Sequence, residues 1–351
     1  MTAVRWPVGL GVVVVACGPC GAAALELSAT IWEREVVVAE PLLVRLELSN
    51  PSTEPLAVVP PYVNVGGRSL WPLTFTVTDE AGDRVPNGWK YARSGFEPIC
   101  FGAPWWTTPP GLGRMQYREA WLLPPGGRAW TWVDLLQFYP LDEPARYHLV
   151  FEYDAQPEML VSLGEAGPPP QGVWSGHLEA DAGWITVLEP GGTDRDAAQF
   201  LLERRDKLEA VLSAGAYGVA GAVLDRFPEA TYALYAAFYQ HWTPGAFGTP
   251  PAAGAARLAA SAAKFAREHT EFPLSYQLPV AVALSQWQVA DEAAARGAGM
   301  PAGAAEEMVA RAAALRQALR ETAAAAGDYS LMQMVEDRIG TLAVPGAPTA
   351  P

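Results

Sequence analysis

Cysteine, histidine and positive charge are all scarce in this sequence. Three cysteines among 351 residues exclude a miniprotein held by a disulfide framework. Lys and Arg number 24 against 38 Asp and Glu, a net charge of −14. So few cations leave no basic patch for a phosphate backbone, which argues against nucleic acid as a partner. Charged residues are 18% and hydrophobic residues 50%. That balance fits neither long disorder nor a polytopic membrane protein. No two of the four histidines have HExxH spacing, and neither G-x-S-x-G nor a P-loop occurs. Metal-ligand spacing of Cys and His is missing, and so is a D-x-D-x-D calcium loop. The sequence therefore names no catalytic residue, no metal ligand and no cofactor. An enzyme is not thereby excluded, because catalytic residues need not be neighbours in sequence.

What is present begins at the N-terminus. Residues 1–24 hold no acidic residue and one basic one, Arg5, followed by the apolar run Val8 to Ala16. Nine residues cannot cross a hydrocarbon core of roughly 30 Å, which takes about 20 helical residues. A short apolar stretch followed by small residues reads as a secretory signal. Two cleavage sites compete. Ala22-Ala23-Ala24 would release a soluble chain starting at Leu25. Val14-Val15-Ala16-Cys17 resembles the lipobox of bacterial lipoproteins, which implies a signal over residues 1–16 and a lipid on Cys17. The lipoprotein route is favoured, and its acyl chains would be the only membrane attachment. Cys20 and Cys100 would then remain as a disulfide candidate in an oxidising compartment.

From Leu25 to Pro190 apolar residues recur at every second position. Leu42, Val44, Leu46 and Leu48 alternate with Leu43, Arg45 and Glu47. Similar alternation runs through 73–78, 130–133, 147–153 and 184–188. A period of two places each set on one face of a strand. Repeated strands of this kind between Pro and Gly turns predict an antiparallel sandwich. The pieces LLVRLELSNPS (42–52), LTFTVTDEAGDRVP (73–86), LPPGG (123–127) and LDEPARYHLVFEY (141–153) resemble immunoglobulin-like or fibronectin-like domains of exported bacterial proteins. The resemblance implies an all-β antiparallel sandwich over residues 25–190 and carries no catalytic residues.

One insertion, residues 86–113, is too long and too aromatic for a hairpin loop. It reads as a structured cap on the sandwich. Alternatively, Trp89, Tyr91, Trp105 and Trp106 form a ligand-binding platform for sugar rings or a peptide. Ten of the 13 tryptophans lie between residues 25 and 190, and most are expected in the core.

After Pro190 the apolar rhythm changes to every third or fourth residue. Thr193 with Asp196 suggests a capping box. Helices are predicted near 194–213, 215–226, 230–242, 251–270, 275–296, 302–326 and 329–339. Phe227-Pro228, Thr243-Pro244-Gly245, Thr249-Pro250-Pro251, Phe272-Pro273 and 297–301 would break them. Phe200, Leu224, Tyr235, Phe238, Trp242, Phe265, Trp287 and Leu315 are the expected bulky core. Phe227-Pro228 and Phe272-Pro273 each precede a Trp (Trp242, Trp287) by 15 residues, and the copies lie 45 residues apart. That echo resembles tetratricopeptide-type helical hairpins and implies an all-α helical-hairpin array over residues 191–340, with 341–351 a disordered tail.

His148 is expected to face outward on a strand, and His177 to sit in a turn. His241 and His269 are expected at helix ends, with Glu268 and Glu271 beside His269. Together these observations point to an exported, lipid-anchored, non-enzymatic protein at the bacterial cell envelope, in the periplasm or at the cell surface. Its expected work is to bind or scaffold a protein partner. The alternatives are carbohydrate or cell-wall binding through residues 89–106, and an envelope hydrolase whose site the sequence does not reveal.

Overall fold

The computed structural model describes residues 12–14, 25–59, 63–65, 68–70, 73–86, 121–137, 139, 141–156, 172–203, 215–247, 252–280 and 282–283, with short helical pieces between 306 and 322. The chain divides into two compact units, one ending at Pro190 and the other beginning at Gly191.

The first unit contains twelve described strands. They are β1 (Val12–Val14), β2 (Glu26–Ile31), β3 (Glu35–Val37), β4 (Leu43–Ser49), β5 (Leu56–Val58), β6 (Val63–Val65), β7 (Arg68–Leu70), β8 (Leu73–Asp79), β9 (Trp121–Leu123), β10 (Arg128–Asp134), β11 (Ala145–Ala155) and β12 (Gly176–Leu188). One sheet has the order β1-β2-β4-β10 and a second β3-β12-β11-β8, while β5 pairs with β9 and β6 with β7. Alternation fixes which face is dry. On β11, Tyr147, Leu149, Phe151 and Tyr153 are buried, and the residues between them turn outward. On β2 the buried residues are Leu27, Ala29 and Ile31, and β12 packs against this strand. Leu, Val and small Ala side chains fill most of this interior.

Two polar residues tie the unit at its ends. Tyr147 Oη donates to the Glu143 carbonyl at 2.9 Å, which pins the turn entering β11. Buried Asp134 accepts from the Leu42 and Leu136 amides and so holds the end of β10 to the start of β4.

The second unit begins with α1 (Thr193–Leu202), α2 (Gly215–Arg226), α3 (Tyr232–Phe247) and α4 (Ala252–Glu268). Its described core is aromatic. Phe238 lies 5.4 Å from Phe272 and 6.4 Å from Phe265 between ring centroids, and Tyr235 meets Phe272 edge-on. Phe200 packs on Phe227, with the Arg226 guanidinium over both rings. Val223 is buried where Leu224 was expected, and Leu319 where Leu315 was. The side chains of Trp242 and Trp287 lie outside the described residues.

Several expectations need correction. The chain is not a clear all-β antiparallel Ig-like sandwich followed by an all-α helical-hairpin array. It is mixed, 34% helical and 35% strand. The second sheet is itself mixed, because β3 joins β12 in parallel. The cause is a change of sheet: the chain leaves β2 and crosses within three residues, Trp32 to Arg34, to the edge of the other sheet. In the second unit, a helical period shows that a segment has a dry face, but not which neighbour covers it. The two Phe-Pro turns are locally alike, since the Ala230 amide donates to Phe227 O and the Ser275 amide to Phe272 O. That likeness does not make an array. The break expected at Thr243-Pro244-Gly245 falls inside α3, which runs on to Phe247 although Pro244 forfeits one helical hydrogen bond. The capping box does not form either: α1 has no side-chain cap. Asp194 instead accepts from the amide and hydroxyl of Thr231, at 2.7 and 2.9 Å, and so ties α1 to the start of α3.

Candidate functional site

The outward face of the second sheet concentrates the side chains with binding chemistry. β11 and β12 run antiparallel over most of their length, with a register shift between Leu149 and Val150. The shift is a bulge in β12 at Ala182-Gly183. Gly183 takes φ +82°, a left-handed conformation that glycine adopts without penalty. Its amide donates to Asp181 Oδ1 at 2.7 Å. The bulge changes the parity of the strand. Before it, Leu178, Ala180 and Ala182 are buried; after it, Ile185 and Val187 are. His177, Glu179 and Asp181 therefore share the outer face with Trp184 and Thr186.

Trp184 is the exposed large hydrophobic side chain among the described residues, at 38%. The Arg146 guanidinium lies 5.1 Å from its ring centre and the His148 imidazole 5.0 Å. His148 Nε2 is 2.9 Å from Asp181 Oδ1. Beneath the bulge, Arg34 Nη1 donates to the Trp184 carbonyl at 2.9 Å. The Arg146 guanidinium and the His148 ring thus flank the indole, and Arg34 holds the backbone of the same residue, while the side chain stays partly open to solvent.

Farther along the same strands, Glu152 stands opposite Glu179 in register, and Asp154 opposite His177. One ligand-type atom from each of Glu152, His177 and Glu179 lies within 4.8 Å of the others. Thr74 on β8, the partner of Glu152 on its other side, donates to Glu152 Oε2 at 3.3 Å.

The other histidines lie in the second unit. His241 sits within α3, with Nδ1 3.3 Å from Ser261 Oγ, and burial pushes its pKa down. His269 Nδ1 is 3.8 Å from Glu271, whereas Glu268 pairs with Lys264. The two carboxylates beside His269 therefore have different partners.

Five of the ten tryptophans between residues 25 and 190 have described side chains. Among the described residues Trp132 is buried, whereas Trp32, Trp130 and Trp174 are half-buried and Trp184 is exposed. Trp130 lies under the Arg45 guanidinium, 4.4 Å away. Of the indoles that lie outside the core, Trp130 and Trp184 each carry an arginine guanidinium over the ring, and Trp174 stacks on Tyr153. The proposed platform of Trp89, Tyr91, Trp105 and Trp106, the lipidation candidate Cys17 and the disulfide candidates Cys20 and Cys100 lie outside the described residues.

Sequence reasoning missed the Glu152–His177–Glu179 grouping because its members come from two strands. A signal did exist. His177-x-Glu179 has the spacing that puts both side chains on one face of a strand, but Ser175-Gly176 before it suggested a turn.

No helix among the described residues is long and apolar enough to cross a membrane. In comparisons with known proteins, the chain matches no family model and no curated protein sequence.

Proposed function

We propose that the chain is an exported, lipid-anchored protein of the bacterial cell envelope that works by binding a protein partner. The leader Met1 to Cys17 supports export and anchoring. The observation that carries the binding reading is Trp184, a large indole kept at the surface and flanked by Arg146 and His148. Trp and Arg are the residue types that dominate the energetics of protein interfaces. A cation over the ring keeps the indole preorganised, so little conformational entropy is lost on docking. Glu152, Asp154, Glu179 and Asp181 share this face, and residues 25–190 hold ten basic residues against 21 acidic. The partner that fits presents an apolar pocket rimmed by Lys or Arg.

Photo-crosslinking in the producing cells tests this reading. A photoreactive residue at position 184 should give a discrete adduct with one protein, weakened when Arg146→Ala is added. The same probe at Thr53, in an exposed loop, should not give that adduct. No adduct at 184, or the same adduct from both positions, would overturn the assignment. For the anchor, mass spectrometry of the mature N-terminus should find an acylated Cys17, and a free Leu25 amine would refute it.

A further inference from the structure

We propose that Glu152, His177 and Glu179 form a binding site for a divalent first-row transition ion, with Zn2+ the best fit. This inference does not rest on Trp184 or on a protein partner.

The backbone sets the geometry. On β11, Phe151 and Tyr153 are fully buried, which fixes Glu152 outward between them. On β12, buried Leu178 does the same for His177 and Glu179. The register then places Glu152 across from Glu179, with His177 one pair along. Three ligand atoms within 4.8 Å of one another therefore come from two paired strands of the sheet.

Without an ion this arrangement is unfavourable. Two like charges directly opposite on an antiparallel pair repel. Among the described residues no Lys or Arg is ion-paired with either carboxylate. The one hydrogen bond to them there is the Thr74 hydroxyl on Glu152. Elsewhere in the same unit two carboxylates do have arginine partners: Glu47 meets Arg45 and Arg128, and Glu80 meets Arg146. A bound dication would turn the repulsion into attraction.

The donor set selects the ion. One imidazole nitrogen with two carboxylates suits Zn2+ and its neighbours in the first row, whereas Ca2+ and Mg2+ favour oxygen alone. Zn2+ takes N and O ligands at about 2.0–2.2 Å, so tetrahedral ligand atoms stand about 3.3–3.6 Å apart. Side-chain rotation of half-exposed and exposed residues closes the remaining distance. Three protein ligands leave a fourth position for water. Asp154 faces His177 in register, the place from which a carboxylate orients a ligating imidazole. Thr74 does the same for Glu152. His148 is not part of the site, because its ring is engaged by Asp181 and Trp184.

The test uses the full chain purified without a histidine tag. Zn2+ is titrated in competition with a chromophoric chelator, and Co2+ serves as the spectroscopic probe. The expected result is one equivalent of Zn2+ bound in the micromolar range or tighter, with intense visible Co2+ bands of a four-coordinate ion. The pair His177→Ala with Glu179→Gln should weaken binding by about 100-fold, and Thr74→Ala by about tenfold. Far-UV circular dichroism should stay unchanged, since His177 and Glu179 are exposed. His148→Ala should bind as the parent does. Absence of saturable binding, or binding that survives the double substitution, would overturn the proposal. So would loss on His148→Ala alone with the fold intact.

Discussion

Asn50 is fully buried, and both ends of its amide are engaged. Nδ2 lies within hydrogen-bonding reach of the carbonyls of Glu54, Leu123 and Pro124, at 2.8, 3.0 and 3.2 Å. Oδ1 accepts from the amide and hydroxyl of Ser52. Its own backbone bonds to Gly126 and Gly127, so one residue joins the end of β4 to the turn before β10. Asn50→Ala should cost about 2–3 kcal/mol, because buried carbonyls are left without a donor. Urea unfolding of the variant beside the parent measures this, and a change below about 0.5 kcal/mol would show that other groups take over the role. Asn50-Pro51-Ser52 reads from sequence as a strand terminator, and it is one. That the asparagine also holds a loop 73 residues away was not legible, since nothing local records a partner at that distance.

At the scale of an element, the bulge in β12 does most to shape the outer face. An alanine at Gly183 would need a left-handed backbone and would bring its Cβ within 3.2 Å of Arg34 Nη1. Gly183→Ala should therefore destabilise the unit by about 1–2 kcal/mol. It should also quench or shift the Trp184 fluorescence, because Arg34 bonds to that residue's carbonyl. Unchanged thermal unfolding together with an unchanged emission spectrum would refute this account. The bulge also explains what could be read in advance. The alternation over 147–153 and 185–187 matches the observed dry face, because those stretches keep an unbroken period of two. The first half of β12 was hidden: its parity is opposite to that of the second half, and Ser175-Gly176 suggested a turn. The described tryptophans depart from the expected burial for a different reason. Large apolar area suggests burial, yet the flat indole face is also a seat for guanidinium, as at Arg45 and Arg146. In the second unit, α2 falls at the predicted 215–226, whereas Pro244 was overridden by the helix around it.

Across the whole molecule, charge is unevenly spread. Residues 25–190 carry 21 acidic side chains against ten basic, and residues 191–351 carry 17 against 13. Self-repulsion of that kind weakens a compact state and is screened by salt. Raising ionic strength from ~0.01 M to ~0.15 M shortens the Debye length from about 30 Å to about 8 Å. The melting temperature of the full chain should rise by about 2–4 °C for each ~1 kcal/mol of repulsion removed. A melting point that falls with added sodium chloride would mean that attractive ion pairs outweigh the repulsion.

Strand β1, Val12–Val14, lies along β2 with Val14 opposite Leu27. Under the proposed export, processing at Cys17 or at Leu25 would cut downstream of it. Maturation would then strip the border strand from the sheet and leave one side of β2 with bare amides and carbonyls, the kind of margin that invites another chain to add itself. If the proposed export holds, the leader would be more than an address: until its removal it would shield a seam that the processed chain would have to cover by other means.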